Sequence, residues 1–155
     1  MSMSSNISEK ATFGAGCYWG TEKYFKEDFG KKKFPTSAIE GKVGFMGLTG
    51  KEKPDPSYRD VCSGTTGHVE VYDFTFKGDA TTYEELCKHF FSFHDPTTLN
   101  RQGNDVGTQY GSVIFYHDDA QKDIAEKVLA ILTLALTLAF TRTLTLSLTL
   151  TLTQI

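Results

Sequence analysis

The chain has 155 residues, with 16 basic and 19 acidic side chains and a net charge of −3. That length fits one domain able to bury a core without disulfide or metal staples. The near-balanced charge argues against nucleic acid as the main partner, and Lys31, Lys32 and Lys33 read as a solvated loop. Three cysteines, an odd number, fit reduced thiols in a reducing compartment better than a disulfide framework.

Residues 1–10 are Ser-rich and lack the apolar run of a secretory signal, so they are expected to form a disordered, cytoplasmic amino terminus. Ala11 to Ala15 reads as a buried strand that delivers the chain to Gly14-Ala15-Gly16-Cys17-Tyr18-Trp19-Gly20. The glycines allow a tight strand-to-helix turn, and Tyr18, Phe25 and Phe29 then recur near helical spacing. Cys17 would sit at a helix amino terminus, where free amide N–H groups favour an anion. Such a thiol is either a reactive nucleophile or a small core residue.

Residues 38–45 predict a strand, and the Gly-, Lys- and Pro-rich stretch 44–56 a loop. Tyr58, Val61 and Cys62 share one face of a short helical turn that Gly64 stops, which makes Tyr58 and Cys62 neighbours. From His68 to Phe76 the chain alternates, with His68, Glu70, Tyr72, Phe74 and Phe76 on one side and Val69 and Val71 on the other. Both sides carry apolar groups, so the strand is expected to be central. A carboxyl among aromatics is desolvated, its charged form is disfavoured, and Glu70 becomes a candidate proton donor at neutral pH. The alternative is a glutamate paired with a cation at the core edge.

Thr81 with Glu84, or Thr82 with Glu85, matches a capping box for a helix reaching His94, with Cys87 on its core stripe. Residues 97–108 form a dense polar loop holding Asn100, Arg101, Gln102, Asn104 and Asp105. Tyr110 to His117 predicts another strand, and Asp118 with Gln121 opens a last helix carrying Ile124, Val128, Ile131 and Leu132. His68, His89, His94 and His117 lack metal-ligand spacing, and no zinc site is expected.

Three segments together resemble the A-type peptide-methionine sulfoxide reductases. They are Gly16-Cys17-Tyr18-Trp19-Gly20; Tyr58-Arg59-Asp60-Val61-Cys62-Ser63-Gly64 with Gly67-His68-Val69-Glu70; and Arg101-Gln102-Gly103-Asn104-Asp105-Val106-Gly107-Thr108-Gln109-Tyr110. Tyr18 stands where the family usually has Phe, and Gly111 where it often has Arg. The resemblance implies an α+β fold, a two-layer sandwich with a central mixed sheet flanked by helices, over residues 11–131. It implies thiol-dependent reduction of the S epimer of methionine sulfoxide, free or in proteins, as a repair of oxidative damage, with one enzyme per epimer. On that model Cys17 is the nucleophile, left as a sulfenic acid. Glu70 protonates the sulfoxide oxygen, Tyr58 and Tyr110 hydrogen-bond it, Tyr18 and Trp19 cage the substrate methyl, and Asp105 positions groups and assists recycling. No bound cofactor is implied; the reductant is an external thiol such as thioredoxin, glutaredoxin or dithiothreitol. A cytoplasmic monomer with no nucleic-acid or membrane partner is expected.

The departure from the family lies in residues 132–155, dominated by Leu and Thr in near-strict alternation from Thr141 to Thr153. The family usually regenerates its thiol through cysteines in a carboxy-terminal extension. Here the stretch reads as a membrane span, which Arg142 opposes, as an aggregation-prone strand, or as translated simple-repeat DNA outside the fold. Cys62 is then either a buried cysteine of the second motif or a substitute resolving thiol. Two further functions stay open: a non-catalytic remnant that binds oxidised methionine, and a Cys-His hydrolase with His68 or His94 as base.

Overall fold

A computed structural model describes residues 7–52, 54–139 and 150–154. The chain order is β1 (Lys10–Ala15), α1 (Tyr18–Lys23), a π-helical segment (Tyr24–Lys33), β2 (Glu40–Gly47), α2 (Tyr58–Cys62), β3 (His68–Thr75) and α3 (Ala80–Phe93), followed by the short strands β4 (Arg101–Gln102) and β5 (Asp105–Val106), then β6 (Ser112–Tyr116), α4 (Asp119–Ala139) and β7 (Thr151–Gln154). Among the described residues the main sheet runs β2-β3-β1-β6-β7. Its first three pairings are antiparallel and the last, β6 with β7, is parallel, so the sheet is mixed and the fold α+β, as expected.

β3 lies between β2 and β1, and its alternation supplies two apolar layers. Tyr72, Phe74 and Phe76 join the larger core with Phe13, Phe25, Phe29 and the α3 residues Tyr83, Leu86 and Phe90. Val69 and Val71 point the other way and pack with Val113 and Phe115, covered in part by Met46 and Leu48. Phe13 is fully buried, with ring centroids 4.8 Å from Phe25 and 5.1 Å from Phe90. On the opposite face the buried Thr12 hydroxyl donates to Asp73 at 2.7 Å and lies 3.0 Å from His117 Nε2.

Local chemistry differs from expectation at three places. The helix after Cys17 widens into π turns from Tyr24, with the Phe34 amide donating five residues back to the Phe29 carbonyl at 2.7 Å. The wider turn brings Phe25, Phe29 and Gly30 to the core. Its far end carries Lys31, Lys32 and Lys33, which are solvent-exposed as expected but close the helical segment rather than lie in a loop, and they pair at the surface with Glu27, Asp28 and Glu85. The cap of α3 is Asp79, not Thr81 or Thr82, because the Asp79 carboxylate accepts from both the Thr81 and Thr82 amides, at 3.0 and 3.1 Å. The polar loop folds back as the β4–β5 hairpin, with Arg101 opposite Val106 and Gln102 opposite Asp105.

The segment leading into β1 is tied to the start of α4. Asp118 accepts from the Ser8 and Gln121 amides, while the fully buried Gln121 amide side chain donates to the carbonyls of Ser8 and Lys10. Residues 1–6 of the amino terminus lie outside the described residues. α4 runs through position 131, the expected edge of the domain, to Ala139, with Ile131, Leu134 and Leu138 exposed. β7 then lies along β6 with Thr151 opposite Val113 and Gln154 opposite Tyr116. Alternation by two lets Leu150 and Leu152 pack on the main core while Thr151 stays exposed. Most of the Leu/Thr alternation, residues 140–149, lies outside the described residues. No described helix is long and apolar enough to cross a membrane.

Because Phe13 sits at the centre of stacked rings with no solvent contact, Phe13→Ala is expected to lower the unfolding free energy by about 3–5 kcal/mol. Urea denaturation of the variant beside the parent chain measures it.

Candidate active site

The site forms where three strand ends meet. β1 is antiparallel to both β3 and β6, so its carboxy-terminal end lies beside their beginnings, with Phe13 opposite Tyr72 and Ala15 opposite Ser112. Two residues beyond each of these positions stand Cys17, Glu70 and Tyr110, which the sequence separates widely.

Gly16 makes the turn that places Cys17. Its φ is +83°, a conformation L side chains avoid, and a Cβ there would stand 2.7 Å from Gln102 Cβ and Cγ of the hairpin. Cys17 is the residue before the first turn of α1; its carbonyl accepts from the Gly20 and Thr21 amides at 3.1 and 3.2 Å. The first amide of that helix, Tyr18 N–H, donates to Glu70 Oε2 at 2.9 Å. The first amide of α1, which the sequence assigned to the thiol, is therefore bonded to the neighbouring carboxyl, and the Cys17 side chain makes no cap bond.

Glu70 is only 2% exposed. Burial raises its pKa, the Tyr18 amide pulls it down, and the charge of Asp105 pushes it up; the net direction is upward. Asp105 itself is exposed on β5, so it acts on the site through charge across the hairpin edge. The phenols are held protonated. Tyr110 is raised by burial and then by the charges of Glu70 and Asp105. Tyr18 is raised by burial, then by Glu70, Cys17 and Cys62. Tyr58 is pushed up to about 12, first by the Cys62 thiol one helical turn away, then by Glu70 and Tyr110. These mutual influences place Cys17, Glu70, Tyr18, Tyr58, Tyr110, Asp105 and Cys62 in one neighbourhood.

An aromatic wall borders it. Trp19 packs edge-on against Tyr18 with centroids 5.2 Å apart; Tyr18 lies 5.7 Å from Phe45, and Phe45 6.2 Å from Tyr58. Trp19 is 62% and Tyr58 58% exposed, so the wall faces solvent and can receive a side chain from outside. Phe45 was not singled out from the sequence. It stands directly opposite Glu70 in the β2–β3 pairing, and only that register reveals it.

The α2 turn is fixed from both ends. A reciprocal cap joins Ser57 and Asp60, Gly64 has φ +72°, and the Thr108 hydroxyl donates to the Gly64 carbonyl at 3.2 Å. That bond ties the segment of Tyr58 and Cys62 to the segment of Tyr110. Cys62 is exposed, which removes its reading as a buried cysteine, whereas Cys87 is fully buried in the core.

The histidines take other work. His94 spends Nδ1 on the Phe90 carbonyl at 2.6 Å and Nε2 on the Ser112 hydroxyl at 3.1 Å, and burial lowers its pKa to about 4. His68 uses Nδ1 at the Thr66 carbonyl, 3.1 Å away. A hydrolase base beside Cys17 is thus not favoured; the group bonded next to the thiol is a carboxyl. No cluster of three or more His, Cys, Asp or Glu able to hold a metal occurs among the described residues. The arrangement can present a thiol, a buried carboxyl of raised proton affinity and phenolic donors to a group with a basic oxygen and an apolar substituent.

Residues 9–149 match the family described as Peptide methionine sulfoxide reductase. The chain is 51% identical over 117 residues to "Peptide methionine sulfoxide reductase MsrA" of Methanothermobacter thermautotrophicus, covering 76% of this chain and 63% of that protein. It is 47% identical over 129 residues to the protein of that description from Geobacter sulfurreducens, covering 82% and 73%. Methionine sulfoxide reductase A of Corynebacterium diphtheriae superposes with a TM-score of 0.73 at 32% identity, over 96% of this chain and 65% of that one. Mxr1 from Saccharomyces cerevisiae in reduced form gives 0.73 at 29% identity, over 97% and 77%. The chain spans just under two thirds of the length of several of these relatives, 63% for those of Methanothermobacter thermautotrophicus and Saccharolobus solfataricus. With the match extending over most of its length, the chain belongs to the peptide methionine sulfoxide reductase family.

Proposed function

We propose that the chain reduces the S epimer of methionine sulfoxide, free or in proteins, to methionine. The observation that carries this reading is the placement of Cys17 beside a buried Glu70, whose proton affinity is raised, through the adjacent Tyr18 amide.

The chemistry demands both groups. Sulfoxide oxygen leaves poorly unless it is protonated, so a neutral carboxyl and phenolic donors must act while a thiolate attacks sulfur. Glu70 gives its proton to the oxygen, Tyr58 and Tyr110 hydrogen-bond it, and Cys17 supplies the electron pair. Sulfur is reduced, methionine leaves, and the oxygen ends on Cys17 as a sulfenic acid. Tyr18 and Trp19 cage the methyl group, and Phe45 extends the same wall. Asp105 helps keep the Glu70 proton in place by its negative charge. An environment that raises the proton affinity of a carboxyl beside a sulfur nucleophile is the way one site runs acid and nucleophile chemistry together. We assign the reacting residues to the stretch 11–131, in a chain acting as a cytoplasmic monomer that needs no bound cofactor and is returned to its starting state by an external thiol of the thioredoxin type.

Thiol-dependent methionine formation from the separate S and R epimers tests the proposal. The S epimer is expected to turn over and the R epimer not, with Cys17→Ser inactive; turnover of the R epimer or an active Cys17→Ser overturns it. Glu70→Gln is expected to lower kcat about 10²–10⁴-fold, the range of a lost general acid. Tyr110→Phe is expected to lower kcat about 10-fold, corresponding to one hydrogen bond of about 1.5 kcal/mol.

The Glu70 shift also has a stability signature. Its folded pKa lies above the ordinary 4.5, so the folded chain keeps the proton to higher pH than the unfolded chain does. Its contribution is therefore most favourable below pH 4.5 and is lost as pH rises through the folded value. Urea midpoints of the parent and Glu70→Gln, measured from pH 4 to 8 (about the span of carboxyl and histidine titration), should diverge in favour of the variant as pH increases.

A further inference from the structure

We infer that Cys62 is the resolving thiol that condenses with oxidised Cys17. The inference rests on the proposed reduction at Cys17, and it assigns the next step to a residue of this chain.

Of the three cysteines in the sequence, Cys87 is unavailable. It is fully buried within the large core, and burial holds its thiol protonated. Cys62 is exposed, and it closes α2, the helix that Tyr58 opens. At four residues' separation the two side chains stack on one helix face. Tyr58 continues the wall through Phe45 to Tyr18, which follows Cys17 directly. The phenols of Tyr18, Tyr58 and Tyr110 all lie within electrostatic reach of Cys62, and Tyr18 is within reach of Cys17 too. The Ser57–Asp60 cap and the Thr108–Gly64 bond hold the α2 turn on that side of the opening. The two accessible thiols therefore flank one aromatic wall.

The step balances without an added oxidant. Reduction of the sulfoxide transfers its oxygen to Cys17 as Cys17–SOH. The Cys62 sulfur attacks the Cys17 sulfur, the S–O bond breaks, an S–S bond forms, and hydroxide leaves with the Cys62 proton as water. The disulfide then accepts two electrons from an external dithiol, which restores both thiols. Sulfenic acid beside an exposed thiol condenses in this manner in general, which protects the first cysteine from further oxidation.

The full chain is mixed with one equivalent of L-methionine (S)-sulfoxide without external thiol, in the presence and absence of dimedone, and its cysteines are mapped by mass spectrometry under non-reducing conditions. Methionine formation with a Cys17–Cys62 crosslink, and a fall from three free thiols to one, is the expected result. Cys62→Ser should still form about one equivalent of methionine, because a single turnover needs only the first thiol, and should convert Cys17 to the dimedone adduct. Methionine formation that leaves Cys62 free in the parent chain, with Cys17 captured by dimedone, overturns the inference while leaving the reductase reading intact. A parallel arm oxidises Cys17 with hydrogen peroxide. If no methionine forms but peroxide yields the crosslink, the reductase reading fails and the resolving pair stands; if peroxide yields only dimedone-labelled Cys17, the pairing fails as well.

Discussion

The hydrogen bond from the Tyr18 amide to Glu70, 2.9 Å long, is the contact on which the site depends. It joins the first turn of α1 to the central strand β3, so the residue after Cys17 is fixed to the buried carboxyl. The same bond sets an electrostatic balance. A helix amide favours the carboxylate, burial disfavours it, and the Asp105 charge tips the balance further towards the protonated form. Glu70 is thereby kept within reach of its proton without losing the hydrogen bond that a buried oxygen requires.

That contact exists because β1 is flanked by antiparallel neighbours on both sides. Antiparallel pairing places the end of one strand beside the start of the next. The exit of β1 thus meets the entrances of β3 and β6, and residues from distant segments converge without a long loop. The stacked rings around Phe13 fix the strands behind the site, while the hairpin stands against Gly16, where only a hydrogen fits. Rigid packing behind and open aromatic surface in front suit the proposed reduction of an oxidised methionine that enters from solvent.

The parallel addition of β7 shows the limits of pattern. Leu/Thr alternation is compatible with several registers, since a slip by two preserves every face. The observed register places Leu150 and Leu152 against the main core and Thr153 at the Leu48 carbonyl, 3.4 Å from it, beside the smaller apolar layer. The choice belongs to β6, whose free edge offers unpaired backbone groups, and not to the repeat itself.

Sequence alone determined the elements and the chemistry of their residue types. The two-sided alternation of β3, the turn at Gly14 to Gly20, the α2 turn with Tyr58 and Cys62 on one face, and the three motifs were all legible, because each is encoded by neighbours within about one turn or a few strand residues. Tertiary structure decided what those residues meet. Phe45 stands opposite Glu70 only through the β2–β3 register; the Tyr18 amide reaches Glu70 only because β1 and β3 pair; and Cys62 proved exposed although its motif read in favour of a buried cysteine. The cap of α3 moved to Asp79 and the helix after Cys17 widened, because backbone hydrogen bonding and the fit of Phe25 and Phe29 outweighed local pattern. The proton affinity of Glu70 depends on desolvation and on a charge from another segment, and such long-range terms have no signature in the order of residues along the chain.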